Sequence, residues 1–162
     1  MQQIAYVAIG MFLVAVSAAI FLGPLPVPLP QPPQPAPTRP DPATVSAIDA
    51  TWAAVCLVES GGDPLAINHL EGAAGIAQIR LICLDDCNRI VRLAGGPAGY
   101  WTWNDRFDPA KSREMFATYV THFAQCDQRP EVWARIWNGG PEGFEKSSTL
   151  NYWRRVSAAM KR

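Results

Sequence analysis

The chain lacks an excess of charge of either sign. Its 14 Lys and Arg balance 14 Asp and Glu, for a formal net charge of zero. A balanced chain gives no sign of a basic face for a phosphate backbone, so no nucleic-acid partner is expected. Charged residues are sparse altogether, at 17%. No convincing stretch alternates apolar and polar residues as a half-buried strand would, and the most that the pattern allows is a short hairpin over His69 to Ala74. Close cysteine pairs of the kind that hold structural zinc are also missing, which sets a metal site aside. Basic residues are absent from the N-terminal end, where a cleavable export signal would carry them.

The N-terminal end is instead apolar. Ile4 to Leu22 carries no charge and departs from an apolar run mainly at Tyr6 and Ser17. At about 1.5 Å per residue it is just long enough to cross a hydrocarbon core. Residues 1–23 are therefore expected to be a transmembrane signal-anchor. A cleaved signal peptide, cut near Val16-Ser17-Ala18-Ala19, is the competing reading. Residues 24–42 have proline at roughly every second position, which neither pairs into a sheet nor continues a helix. They read as a polyproline II spacer rising about 3.1 Å per residue. Residues 43–162 remain for one globular domain, enough for a modest core.

Helical patterns dominate that domain, so the fold class is mainly α. Val45, Ile48, Trp52, Val55 and Cys56 recur at the spacing of one helical face. Asp41 can cap this helix, Pro42 suits its first position, and Gly61-Gly62 stop it. Further helices are expected over Asp85 to Leu93, from Asp108-Pro109 through Phe123, from Pro130 to Gly139-Gly140, and from a Ser148 or Thr149 cap through Val156. Tyr100, Trp101 and Trp103 form an aromatic cluster that reads as core in preference to a sugar platform. Trp52, Trp133 and Trp153 fall on helical stripes and read as packing. Cys56, Cys83, Cys87 and Cys126 are an even count, which in an exported domain suggests disulfides of undetermined pairing. Cys56 reads equally as a buried thiol. A cysteine nucleophile paired with His69 or His122 has no local support.

Glu59 is the residue that carries chemistry. It continues the apolar stripe of the first helix into its last turn. Partial burial and the negative end of the helix dipole both disfavour its charged form. Its pKa is therefore expected to rise, as a general acid working near neutral pH requires. The plainer alternative is a glutamate at a helix end turned towards water.

Glu59-Ser60-Gly61-Gly62, Gly75-Ile76-Ala77-Gln78-Ile79, Trp137-Asn138-Gly139-Gly140 and Tyr152, in this order, resemble the motifs of lysozyme-like lytic transglycosylases. These are the enzymes of the soluble lytic transglycosylase class that cut peptidoglycan. Arg106 to Ser112 and Ala134 to Pro141 look like a phage and bacterial branch of that class. The resemblance implies a lysozyme-like domain of two lobes with a cleft between them. It makes Glu59 the single catalytic acid, and places Ser60, Gln78, Asn138 and Tyr152 in the substrate-binding set. The family often has Leu-Met at Ile76-Ala77 and Tyr-Asn-Ala-Gly at 137–140, so subsite detail differs.

What the resemblance implies chemically is a one-acid route. Glu59 protonates the glycosidic oxygen between N-acetylmuramic acid and N-acetylglucosamine. The substrate's acetamido oxygen supports the cation-like centre, and ionised Glu59 takes the proton from the muramic C6 hydroxyl as a 1,6-anhydro ring closes. No metal or organic cofactor is needed. Partners are then peptidoglycan strands and, through the N-terminal helix, a membrane. The expected protein is a monomer anchored in the inner membrane with its catalytic domain outside the cytoplasm. Two alternatives stand beside this: a hydrolytic lysozyme of the same fold, and an inactive wall-binding component. Glu71, in a Gly-flanked loop, is the candidate for a second carboxylate or substrate-binding residue, while Asp63 before Pro64 reads as a turn. A second carboxylate opposite Glu59 favours hydrolysis.

Overall fold

The computed structural model describes residues 42–162. The expected spanning segment at 1–23, the linker up to its last residue Pro42, and the Asp41 cap lie outside the described residues. Among the described residues no helix is long and apolar enough to cross a membrane.

Five helices and one hairpin make up the domain. Helix α1 runs Pro42–Ser60 and is followed by the two-residue strands β1, Ile67–Asn68, and β2, Ala73–Ala74. The strands pair antiparallel, Ile67 with Ala74 and Asn68 with Ala73. Helices α2 (Leu81–Leu93), α3 (Pro109–Ala124), α4 (Pro130–Gly139) and α5 (Leu150–Ala159) follow. Short 3-10 turns precede α3 and α5. The mainly α reading holds. A hairpin is present, but its first strand, Ile67–Asn68, precedes the His69 to Ala74 stretch that the sequence allowed.

Local chemistry accounts for most of the boundaries. At α3, Asp108 accepts from the amides of Ala110 (2.8 Å) and Lys111 (3.2 Å), with Pro109 in the first turn. These bonds satisfy donors that a helix start leaves unpaired. Helix α2 begins four residues before its expected start at Asp85. Its cap position is Arg80, which makes no side-chain capping bond, so the usual start signal is missing. At α5, Thr149 occupies the cap position without capping. Its hydroxyl is instead buried against the Arg135 guanidinium (2.9 Å) and the Gly143 carbonyl (2.8 Å).

Helix α4 packs against α3, α5 and α1. Trp133 at its centre is fully buried, with Val55, Phe116, Val120, Ile136 and Val156 in the same core. The α1 stripe is buried at Ile48, Val55 and Cys56, with Thr51 and Ala54 beside them, whereas Val45 is exposed. Trp52 and Trp153 pack at the core's edge. Trp101 is core, 5% exposed, and its backbone is clamped by both ends of the Asn88 amide at 2.8 and 2.9 Å. Trp103 and Tyr100 are about half exposed, so only one of the three aromatics is core.

The four cysteines are free thiols, which corrects the expectation of disulfides. Cys56 lies in the core of α1, where burial and then the Glu59 charge push its thiol up to about 12. A thiol held protonated is no nucleophile at neutral pH. Cys83 and Cys87 are one turn apart on α2 and contact each other as thiols. The Cys87 thiol also reaches the Met115 carbonyl at 3.5 Å. Cys126 is exposed beyond α3.

Candidate active site

A cavity of about 480 Å³ opens between the hairpin and the helices. One wall is the hairpin and its return loop, with Asn68, Glu71, Ala73 and Gln78. The facing wall is helical, with Glu59 from α1, Trp137 to Gly140 from the end of α4, and Tyr152 and Arg155 from α5. Arg80, Ile82, Cys83 and Asp86 close one side at the start of α2. The structure thus brings Glu59, Glu71, Gln78, Asn138 and Tyr152 to one cavity, although up to 93 residues separate them in sequence.

Glu59 is the penultimate residue of α1 and half-buried. The Tyr152 hydroxyl donates to its Oε1 at 2.7 Å. Its second oxygen has no hydrogen-bond partner among the described residues and is left for a substrate. Burial raises the carboxyl above its ordinary range, and the nearby Glu71 charge adds to that. The Tyr152 hydrogen bond, Arg155 and Arg80 act in the opposite direction, but burial is the larger effect. The result is a carboxyl biased to keep its proton, as a general acid must. The Tyr152 phenol is itself pushed up by burial and by Glu59, so it remains a donor.

The other expected residues divide. Glu71 is exposed on the hairpin turn, facing the cavity. Asn138 is exposed at the end of α4. Gln78 lines the cavity at φ 52°, a left-handed conformation uncommon outside glycine. Its amide nitrogen donates to the carbonyls of Ala66 (3.2 Å) and Gly75 (3.0 Å), so only its oxygen is left for a ligand. Ser60 is not on the cavity lining. Its hydroxyl donates to the Ile76 carbonyl at 2.7 Å and accepts from the Gly62 amide at 3.2 Å. It clips the end of α1 to the return loop, beside the cavity that the other expected binding residues line. Asp63 accepts from the Leu65 amide at 2.9 Å, a turn role as expected.

Sequence reasoning missed Arg155, Arg80 and Asn68. Arg155 donates to the Val58 carbonyl at 3.0 Å, capping the end of α1 with a cation beside Glu59. Asn68 Oδ1 accepts from the amides of Leu70 (3.1 Å) and Glu71 (3.3 Å), which shapes the turn under Glu71. The Asn-x-x-Glu spacing before glycine is a signal that could have pointed to it. For Arg80 and Arg155 no local pattern exists. Trp137 lines the cavity floor without filling it. Its indole N–H donates to the Ala77 carbonyl at 3.3 Å, and its ring packs edge-on against Phe116 and Tyr119.

Domains built this way make up the lysozyme-like class, and comparison with known proteins places the chain within it. It superposes on the lysozyme of Tapes japonica with a TM-score of 0.55 and 27% identity, over 66% of this chain and 85% of that one. The Meretrix lusoria lysozyme, solved in complex with Aeromonas hydrophila PliI, gives the same TM-score and identity over 67% and 87%. In sequence the chain is 33% identical to invertebrate-type lysozyme 6 of Caenorhabditis elegans over 106 residues, 61% of this chain and 77% of the relative. It is 32% identical to lysozyme 1 of Crassostrea virginica over 108 residues, and spans 55% of that protein's length. The chain belongs to the invertebrate-type lysozyme family. No family model matches it. The resemblance to lytic transglycosylases therefore holds at the level of the lysozyme-like fold, and the relatives are lysozymes.

Proposed function

We propose that this domain is a peptidoglycan hydrolase of the lysozyme kind, with Glu59 as general acid and Glu71 as the second carboxylate. The observation that carries the reading is the pair itself. A half-buried glutamate biased to stay protonated and an exposed glutamate on the facing wall line one open cavity. Two carboxylates in unlike environments are the usual apparatus for glycoside hydrolysis. In this scheme Glu59 protonates the oxygen of the bond between N-acetylmuramic acid and N-acetylglucosamine, with Tyr152 holding its carboxyl in place. Glu71 supports the positive charge that develops at the sugar or directs the attacking water. Asn138 and the Gln78 oxygen accept or donate to acetamido and hydroxyl groups. The open cavity, with Trp137 along its floor, counts against an inactive wall-binding component.

The one-acid, non-hydrolytic route remains the competing chemistry, because the Tyr152–Glu59 pair serves it equally. Mass spectrometry of peptidoglycan digested by the wild-type protein and by Glu59→Gln separates the two. Reducing-end muropeptides, absent with Glu59→Gln, are expected. Products one water lighter, ending in 1,6-anhydromuramic acid, would replace hydrolysis by the transglycosylase reaction. We place the domain outside the cytoplasm, carried on residues 1–23 and the proline-rich arm at 24–42. Cell fractionation with and without residues 1–23 tests this, and recovery of the full chain in the cytosol would overturn it.

A further inference from the structure

Arg106 is fully buried, yet no carboxylate pairs with it among the described residues. Its guanidinium lies 3.7 Å from the centre of the Trp103 ring. Nε donates to the Trp103 carbonyl at 3.1 Å. Nη1 donates to the carbonyls of Gly72 at 3.1 Å and Ile79 at 2.7 Å. Nη2 is buried without a partner. Burial disfavours the charge, and the guanidinium pKa is lowered accordingly. A buried cation with no anion is costly to keep.

Everything this side chain reaches outside its own turn belongs to the hairpin's return limb. Gly72 directly follows Glu71, and Ile79 bridges back to Ala74. The main chain of Arg106 holds the same limb. Its carbonyl accepts from the Ser112 hydroxyl at 2.8 Å and lies so close to Gly75 that a Cβ there would approach it to 1.8 Å. Both ends of one residue thus fix residues 72–79. The turn that bears Glu71 is otherwise tied by Asn68, and its neighbour Leu70 is 99% exposed.

We propose that Arg106 is the positioning residue for Glu71, bridging the carbonyls of Gly72 and Ile79 so that the Glu71 carboxylate is held facing the bond that Glu59 protonates. The proposal rests on the reading of Glu71 as the second carboxylate. Arg106 touches no substrate and acts only through the limb it holds.

The test is a cycle of variants in the full chain assayed on purified peptidoglycan: Glu71→Gln, Arg106→Lys and the two together. Lysine keeps the charge but lacks the planar group in which Nε holds the Trp103 carbonyl and so aims Nη1 at the carbonyls of Gly72 and Ile79. Arg106→Lys is expected to lower kcat about 10- to 100-fold with little change in KM, the scale of a misplacement of about 1 Å. It should also shift the alkaline limb of the pH–rate profile to lower pH, in the direction of Glu71→Gln, because one change displaces and the other removes the negative charge that raises the Glu59 carboxyl. Tyr152, Arg155 and Arg80, the other groups that bear on Glu59, are untouched by these changes. In the Glu71→Gln background, Arg106→Lys should cost nothing further. An equal loss in both backgrounds would overturn the proposal and leave Arg106 a purely structural residue. A Glu71→Gln protein with wild-type kcat would instead overturn the reading of Glu71, and the proposal with it. If circular dichroism shows that Arg106→Lys does not fold, Trp103→Leu takes its place. That change removes the half-exposed ring under the guanidinium and leaves the buried donors. A several-fold loss of kcat that vanishes with Glu71→Gln supports the proposal, and an additive loss or none overturns it.

Discussion

On the helical side of the cleft, Arg135 is buried but complete. Nη1 pairs with Glu131 one turn away at 3.0 Å, Nε meets the Thr149 hydroxyl at 2.9 Å, and Nη2 reaches the carbonyls of Phe144 and Lys146. On the hairpin side, Arg106 is as deeply buried, with carbonyls alone as acceptors and one nitrogen orphaned. The backbones match: a glycine packs against each arginine's carbonyl, Gly143 at Arg135 and Gly75 at Arg106, where a Cβ would approach to 2.0 and 1.8 Å. The same device thus serves two ends. With a counter-charge and every nitrogen given a partner, it holds the loop from which α5 and Tyr152 spring. Without them, it holds the limb behind Glu71 at a cost in stability. Such a cost is common where function requires a fixed geometry.

If that division is right, variants on the two walls should fail in different ways. The largest effect belongs to Glu59→Gln, which should lower the rate of wall lysis about 10²- to 10⁴-fold, the range of a lost general acid, as read by turbidity of a peptidoglycan suspension. Arg135→Ala comes next and should act on stability. Removing the guanidinium leaves the buried Thr149 hydroxyl and the carbonyls of Phe144 and Lys146 without their donor, a loss of about 1–3 kcal/mol, measured by urea unfolding, with activity per folded molecule largely kept. Tyr152→Phe removes a hydrogen bond that favours the ionised acid. The Glu59 pKa should rise further and the alkaline limb of the pH–rate profile should move to higher pH, with a net loss of about 0.5–1.5 kcal/mol in stability.

The smallest effect is a gain. Because the folded pKa of Glu59 lies above its unfolded value, its contribution favours the fold at acid pH. That contribution is lost as pH rises through the folded pKa. Glu59→Gln should therefore raise Tm at neutral pH, by about 2–4 °C for a domain of this size, and the gain should shrink below the unfolded glutamate pKa. A Tm that falls equally at both pH values would contradict the burial argument.

What the sequence made legible was local. Asp108-Pro109 announced α3 because the cap and the first turn are neighbours, and Gly61-Gly62 announced the end of α1. The placement of Glu59 at that end, and the direction of its pKa, followed from periodicity and burial alone. Its bond to Tyr152 spans 93 residues, and only the family resemblance hinted at it. The start of α2 was hidden because Arg80 caps nothing. Nothing in the sequence marks Arg106 and Arg135 as buried, and arginine seldom is. Their burial is set by carbonyls of loops elsewhere in the chain. The disulfide expectation was drawn from compartment and an even count, not from geometry, and the thiols of α1 and α2 are taken up by their own helices' packing.

The bond from the Trp137 indole to the Ala77 carbonyl joins the end of α4 to the return loop. Of the six tryptophans, Trp137 is the one on the cavity lining. Its indole therefore senses both the filling of the cavity and the distance between the walls. A glycan that excludes water from the cavity, or lengthens the hydrogen bond to Ala77, should change the polarity around the ring and so its emission. The domain carries an optical gauge of ligand binding that needs no label and can be read at equilibrium, before any bond is cut.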